Sequence, residues 1–422
     1  MPLDLVGVGI GPFNLSLAAL ASRVDGFRAR FLDRRPDFRW HPGLLIDGTT
    51  LQVPFLADLV TLVDPTNPLS FLNYLRHRDR LFPFYFTERF HIPRAEYDDY
   101  CRWAAERLPS CAFGQEVVAV EWSADEELFE VTTQNDTLLT HNVVIGIGTE
   151  PVLPAPLAEV AHHSADYLTV RDELLGLDDV TVVGSGQSGA EVFLDLLRRR
   201  GGGLRWLTRT PAFAPMEYSK LGLEHFTPDY TRYFHTLPEP TRDALVPAQW
   251  QLYKAISADT LAEIHDELYR RTVGGGWPDV TLTPGIEVTS ARRADGRVDL
   301  DLRHTHQGAT ATARTDAVVC ATGYAERDLH ALLGPLLGPR DHAGRHTVDA
   351  EFRVGLRPDI TGAVYAQNAE RHTHGVGAPD LGLAAWRAAT ILNAVCGRAV
   401  HPLPERTAFT TFGLATQRWR AT

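Results

Sequence analysis

Two glycine turns, each set between a short apolar strand and an apolar helix, constrain this chain more than any other feature. The first runs Leu5-Val6-Gly7-Val8-Gly9-Ile10-Gly11-Pro12-Phe13-Asn14. It continues as a helical apolar pattern to Leu20, then a second apolar run from Ala29 to Leu32 that ends at Asp33. The second runs Val180-Thr181-Val182-Val183-Gly184-Ser185-Gly186-Gln187-Ser188-Gly189. A helix to about Arg200 follows, then a Gly201-Gly202-Gly203 break and a strand from Leu204 to Leu207. Strand, glycine turn and helix in that order put free backbone N–H groups and a positive helix end where a pyrophosphate can sit. The second fingerprint, Gly184-x-Gly186-x-x-Gly189, is complete. The first, Gly9-x-Gly11-x-x-Asn14, carries Pro12 inside it and asparagine in its third position. Two such units imply two dinucleotides.

The residue closing each second strand separates the units. Asp33, 24 residues after Gly9, stands where a carboxylate accepts from ribose hydroxyls, which suits FAD or NAD and repels a 2′-phosphate. Arg209, 25 residues after Gly184, stands where a guanidinium pairs with a 2′-phosphate, which points to NADPH. The competing reading of both is an ordinary surface residue. Hydride transfer from NADPH to FAD is the natural inference. Two further apolar strands, from Asn142 and from Asp316, end in glycine turns, and alternating stretches near 116–140 and 280–314 predict antiparallel hairpins. Residues 215–276 are polar, aromatic and helical in pattern, and Leu381 to Val395 predicts an apolar helix. The expected fold is α/β, with two Rossmann-like dinucleotide-binding domains and a small helical substrate-binding insertion. The FAD domain is expected from residues 1–170 and 315–422, the NADPH domain from 171–214 and 277–314, and the insertion from 215–276.

Composition narrows the partners. The 41 basic and 53 acidic residues give a formal net charge of −12, no footprint for nucleic acid or anionic lipid. No run approaches the ~20 apolar residues that span a bilayer. The apolar N-terminus lacks a basic leader, so it reads as fold, and a cytoplasmic location is expected. Cys101, Cys111, Cys320 and Cys396 form no CxxC pair, which argues against a dithiol reductase of the same two-dinucleotide plan. His372 and His374 have no third ligand at metal-binding spacing, so no metal is expected.

Beyond the fingerprints, the chain carries Phe38-Arg39-Trp40-His41-Pro42-Gly43, Leu51-Gln52-Val53-Pro54-Phe55-Leu56-Ala57-Asp58-Leu59-Val60, Asp64-Pro65-Thr66-Asn67-Pro68, Pro93-Arg94-x-Glu96-Tyr97, Ala321-Thr322-Gly323-Tyr324 and His372-Thr373-His374-Gly375. With Gly9 to Ser16, these segments resemble the flavin-dependent N-hydroxylating monooxygenases of siderophore biosynthesis, the lysine, ornithine and diamine N-hydroxylases, over nearly the whole chain. Baeyer–Villiger and flavin-containing monooxygenases carry FxGxxxHxxx(W/Y). Here His163 and Tyr167 keep its end, while Leu157 and Glu159 replace its Phe and Gly. The resemblance implies NADPH reduction of FAD, O₂ addition to give a C4a-hydroperoxyflavin, and attack by a free amine on the distal oxygen. It also implies a homo-oligomer, a dimer or tetramer. By position it places Trp40, His41, Gln52, Thr322, Gly323, His374, Gly375, Leu381 and Leu383 at the FAD, with Gln52 also at the substrate, and Gln187, Ser188 and Ser257 at the NADPH. His41 could equally be a core histidine bonded to backbone, and Thr322 a structural residue.

The substrate follows from two departures. Ornithine and lysine hydroxylases of the family read FLKDL, whose lysine meets the substrate carboxylate; here Ala57 fills that position. Leu223 stands at or near the site of an asparagine that grips ornithine. A carboxylate left unpaired in a pocket costs on the order of several kcal/mol, so the expected substrate is an aliphatic diamine, cadaverine or putrescine. Glu217, Glu224 and Asp229 are candidates for its remote ammonium. The reacting amine must be neutral, a form only about 0.04% populated at pH 7 in water, so a low-dielectric pocket is required. The alternatives are L-lysine N6-hydroxylation, with a cation such as Lys220 compensating, and a sensor that holds FAD or NADPH without turnover.

Overall fold

The structure, a computed structural model, describes residues 1–414. Two five-stranded parallel sheets organise it. The first has the order Ala363–Ala366, Asn142–Ile145, Leu5–Val8, Ala29–Asp33, Cys111–Phe113. The second has the order Val280–Pro284, Leu204–Thr208, Val180–Val183, Ala317–Cys320, His162–His163. The central strands read as unbroken apolar runs because parallel sheets are covered on both faces. Helix Pro12–Ala21 starts on a proline, whose fixed φ suits the first helical position, and every one of its residues is buried. It lies between the first sheet and helix Ala384–Cys396, which covers the apolar stretch expected from Leu381 to Val395.

Each unit carries an antiparallel three-stranded sheet, Val117–Thr140 in the first and Ile286–Thr315 in the second. The hairpin expected from residue 280 begins later. Val280–Pro284 joins the parallel sheet beside Leu204–Thr208, and Gly285, at φ +73°, turns the chain into the hairpin. The boundary expected at residue 315 also moves. Ala317–Cys320 pairs in register with Val180–Val183, and His162–His163 pairs with Val319 and Cys320. By sheet membership the second unit therefore reaches from about residue 162 to residue 320. The reason is local: an apolar strand ending in a glycine turn looks alike in either sheet, and only pairing decides. A two-stranded ribbon, Thr149–Pro151 against Tyr324–Glu326, bridges the units. The insertion packs four helices between Pro228 and Thr272. Among the described residues, no helix is long and apolar enough to cross a membrane.

Candidate active site

The first turn is a backbone cradle. Gly9 sits at φ +87°, and a Cβ there would lie 2.4 Å from the Gly146 carbonyl oxygen. A Cβ on Gly11 would meet nothing within 4 Å, and Gly11 caps helix Pro12–Ala21 with no side-chain hydrogen bond. Open space in front of uncapped N–H groups is the geometry a phosphate fills. Asn14 does not face that space. Its Nδ2 donates to the carbonyls of Val8 (3.1 Å) and Gly9 (2.8 Å), and its Oδ1 accepts from Gln367 Nε2 (2.6 Å). The asparagine thus staples the turn to the end of strand Ala363–Ala366. At the end of its strand, Asp33 accepts from the Ile10 N–H (2.8 Å) and from Arg35 Nε (3.1 Å) and Nη2 (3.0 Å). Burial pushes its carboxyl up, but Arg35 and the Ile10 N–H outweigh that and hold it below the usual value.

The second turn is tighter. A Cβ on Gly184 would lie 2.3 Å from the Ala321 carbonyl oxygen, and one on Gly189 would lie 2.9 Å from that of Gly184. Gly186 has the Lys254 carbonyl over it, at 3.2 Å from its would-be Cβ. Gln187 ties this mouth to the insertion: its Oε1 accepts from the Ser257 N–H (2.8 Å), and its Nε2 donates to Glu191 (2.8 Å) and Thr260 (3.0 Å). Ser188 is half-buried beside it. Arg209 is exposed at the end of its strand, and among the described residues it pairs with no carboxylate.

Next to the bridging ribbon, Trp40, His41 and Tyr324 form an aromatic cluster. His41, at φ +46°, stands edge-on to Trp40 (5.0 Å between centroids) and Tyr324 (5.7 Å). Surrounding protein lowers its pKa to about 4, with Arg94 and Arg35 adding to the effect, although the residue itself is exposed. Among the described residues its ring bonds to no backbone group, and its exposure does not fit a core histidine. Gln52 Nε2, His374 Nε2 and Trp386 Nε1 are buried and, among the described residues, have no hydrogen-bond partner, so each can meet a polar group that the protein itself does not supply. His374 stacks on Phe352 at 4.2 Å and its Nδ1 meets Thr373 Oγ1 at 2.8 Å. Thr322 is structural: its Oγ1 donates to the Val152 carbonyl at the bridging ribbon (2.5 Å). The Gly323 carbonyl meets His163 Nε2 at 3.1 Å.

One pair escaped the sequence reading. Arg94, on the first unit, forms a two-pronged ion pair with Glu191, three residues past Ser188 on the second (2.7 and 2.8 Å). Both are largely buried, at 11% and 4% side-chain exposure. Glu191 also holds Gln187, so one chain of bonds joins the first unit, the second turn and the insertion.

The expected substrate residues divide. Ala57 is 6% exposed. A Cβ on Gly382 would sit 4.0 Å from the Ala57 Cβ and 2.7 Å from Asp380 Oδ1, so the Leu381–Leu383 turn, with Leu383 buried, forms one wall with Ala57. Leu223 opens the short helical turn Leu223–Phe226 and is half-exposed. Glu217 is exposed and accepts the Ser219 N–H (2.6 Å). Glu224 and Asp229 are already engaged: both Glu224 oxygens accept from the N–H groups of Phe409 and Thr410, Asp229 Oδ2 accepts from those of Thr407 and Ala408, and Asp229 Oδ1 accepts from Arg232 Nη2 (2.5 Å). Lys220 is exposed. The acid the sequence reading missed is Asp380. Its Oδ1 accepts the Gly382 N–H (2.7 Å), and burial pushes its carboxyl up to about 6 against that bond and the charge of Arg387. Its only local signal is a helix-capping aspartate, which is common enough to pass unnoticed.

Residues 1–326 match the L-lysine 6-monooxygenase/L-ornithine 5-monooxygenase family. The rhizobactin siderophore biosynthesis protein RhbE of Rhizobium meliloti is 45% identical over 98% of this chain and 96% of its own. The putrescine N-hydroxylase of Shewanella oneidensis is 40% identical over 97% and 84%. The FAD-bound crystal structure of DfoA, the cadaverine monooxygenase of the desferrioxamine pathway of Erwinia amylovora, superposes with a TM-score of 0.93 at 38% identity, covering 99% of both chains. The chain belongs to the L-lysine 6-monooxygenase/L-ornithine 5-monooxygenase family, and it is an NADPH-dependent flavin N-monooxygenase.

Proposed function

We propose that the enzyme N-hydroxylates one terminal amine of an aliphatic diamine, cadaverine or putrescine, for hydroxamate siderophore assembly. The observation that carries this reading is the wall made by Ala57, Gly382 and Asp380. An amino acid substrate would bring a carboxylate to a surface that carries the Asp380 carboxylate and whose nearby cation, Arg387, is already paired with buried Glu370 (2.7 Å). A diamine brings an ammonium to the same surface, where Asp380 is its counter-ion. Glu217, on the exposed segment before Ser219, is too far into solvent to contribute much. The names of the relatives, putrescine N-hydroxylase and cadaverine monooxygenase, point the same way.

The cofactor roles follow the two sheets. We assign FAD to the first unit, on Gly9, Gly11, Pro12 and Asp33, with Trp40, His41, Gln52 and the 374–383 segment around its ring. We assign NADPH to the second, on Gly184, Gly186, Gln187, Ser188, Gly189 and Arg209, with Ser257 holding Gln187. Bound FAD, reduced by NADPH, supplies the oxygen activation. The protein's part is to exclude water, keep the reacting amine neutral and grip the far end. His41, its pKa lowered to about 4, adds no charge near neutral pH to oppose the amine. Asp380 fixes the remote ammonium at one end, so chain length sets the reach of the other.

A side-by-side assay of cadaverine, putrescine, lysine and ornithine tests this. Diamine kcat/KM should exceed that of either amino acid by roughly 10–100-fold, the cost of an unpaired carboxylate. Lysine outrunning cadaverine would overturn it. Ala57→Lys should reach Asp380 and remove most of the diamine preference; unchanged kinetics would remove Ala57 from the argument.

A further inference from the structure

Two carboxylates first read as ammonium partners do something else. Asp229 Oδ2 accepts from the N–H groups of Thr407 (2.8 Å) and Ala408 (2.9 Å), while its own N–H donates to Thr407 Oγ1 (3.1 Å). Glu224 takes the next two, with Oε1 on the Phe409 N–H (3.0 Å) and Oε2 on the Thr410 N–H (2.8 Å). Arg232 adds a bond to the Glu405 carbonyl (3.1 Å). Two residues on, Phe412 inserts its ring beside Tyr230 (5.0 Å), His225 (5.6 Å) and Tyr233 (6.0 Å). Four successive N–H groups of an irregular C-terminal segment thus end on two side chains of the insertion. Hydrogen bonds to ionised acceptors are the strong kind. They hold both carboxyls below their usual values, Glu224 through its bonds to Thr410 and Phe409, Asp229 against an opposing push from burial.

What this segment holds down is the back of the substrate wall. Helix Pro228–Thr236 packs its Phe234 ring on Gly375, where a Cβ would come within 3.0 Å of Cγ. Gly377 lies under the Leu383 side chain, at 2.6 Å from a would-be Cβ, and faces Thr231 Oγ1 (3.8 Å) and the His225 carbonyl (3.9 Å). Tyr230, Phe234 and Val376 form one buried cluster, with Phe412 packed on it. The Leu383 N–H donates to the Asp380 carbonyl (3.2 Å), and Gly382 between them faces Ala57.

We propose that residues 405–412 form a C-terminal strap, latched by Glu224 and Asp229, that positions the Asp380–Leu383 wall for the amine. Glu224 and Asp229 are positioning residues that act through helix Pro228–Thr236 and never touch the substrate. The strap explains why the insertion carries two acids at 224 and 229 when Asp380 already serves the remote ammonium. The proposal rests on the diamine reading for its ligand, and its geometry stands apart from it.

The test uses the full chain, loaded with FAD, in three variants: Glu224→Ala with Asp229→Ala, Glu224→Gln with Asp229→Asn, and Phe412→Ala. The readouts are the calorimetric Kd for cadaverine, hydroxylamine formed per NADPH consumed, and amide exchange over residues 223–236 and 375–383. The alanine pair should weaken cadaverine binding on the order of tenfold, since small misplacements are costly. It should also divert NADPH to peroxide and raise exchange in both segments. The amide pair keeps one acceptor oxygen per residue and should fall between it and the wild type. FAD-replete variants with wild-type Kd and coupling would overturn the proposal. If the alanine pair fails to fold, Phe412→Ala decides, because it leaves both carboxylates intact: weaker binding supports the strap, unchanged binding ends it. Failure of the diamine reading shows elsewhere, as no hydroxylamine from any diamine with the wild type.

Discussion

The two dinucleotide turns agree at their first glycine and part at their third position. Gly9 and Gly184 are both pressed against the carbonyl of a neighbouring strand end, 2.4 and 2.3 Å from a would-be Cβ, so neither site tolerates a side chain. Five residues on, the second unit has Gly189, jammed on the Gly184 carbonyl, while the first has Asn14, which uses a side chain to do what close packing does in the other. Asn14 also reaches Gln367, so the first turn is fastened to the C-terminal part of the chain. The strand-end residues differ in the same sense. Asp33 is buried and already gripped by Arg35; Arg209 is exposed and pairs with no carboxylate among the described residues. The contrast in freedom thus lies at the strand ends and not in the turns, since the second turn is the tighter of the two.

The sharpest way to break the comparison is at the shared glycine. Gly184→Ala forces a Cβ into a backbone carbonyl at φ +142°, and we expect about 2–6 kcal/mol of strain and overpacking. NADPH-dependent flavin reduction should vanish, while dithionite still reduces the bound FAD; normal NADPH reduction would mean the turn is looser than it looks. Next in size is Asn14→Gly, which rewrites the first fingerprint as the second. It removes three hydrogen bonds, strands the Gln367 amide and adds helical glycine, about 2–4 kcal/mol in all. Thermal unfolding should shift down and FAD content fall, with no gain in nucleotide affinity. An unchanged melting curve would show that the staple is decorative.

The fold was legible because the turns are local. Strand, glycine spacing and helix lie within residues 5–21 and 180–199, and the two hairpins announce themselves by alternation. What failed was whatever depends on which distant segment arrives. Ala317–Cys320 reads as a generic apolar strand, and only its register with Val180–Val183 assigns it to the second sheet. Glu224 and Asp229 lie near the expected substrate segment, but residues 407–410, nearly 180 positions later, take their oxygens. Asp380 adjoins Leu381 and Leu383, both expected at the FAD, yet nothing local distinguishes it from a cap until Ala57 is seen across Gly382. Arg94 and Glu191 form a pair that no spacing rule connects.

Arg209→Ala sharpens the contrast between the strand ends. Its exposed side chain contributes nothing visible to the fold, so thermal stability and FAD content should hold. KM for NADPH should rise roughly 10–100-fold, the loss of one charge-assisted contact, and NADH should become competitive. A rise shared equally by NADH would show that Arg209 does not read the 2′-phosphate.

The smallest expected effect asks whether either turn sets the pH response. Asp33 is held below the usual carboxylate value, so the stability it contributes is present above the unfolded value and is lost only as pH falls through that lower folded value. Between pH 5 and 8 it should therefore be silent, and FAD retention flat. Asp380 is different: its carboxyl is pushed up to about 6, so it loses charge as pH drops through that point. The remote ammonium, with a pKa near ~10.4, stays charged throughout. Diamine KM should accordingly climb between pH 7 and 5, approaching tenfold per unit below the Asp380 value, and Asp380→Asn should flatten that climb while raising KM at pH 7. The falling neutral fraction of the reacting amine acts equally on both enzymes, so a KM ratio of Asp380→Asn to wild type that stays constant from pH 7 to 5 would move the counter-ion, and with it the substrate wall, to another residue.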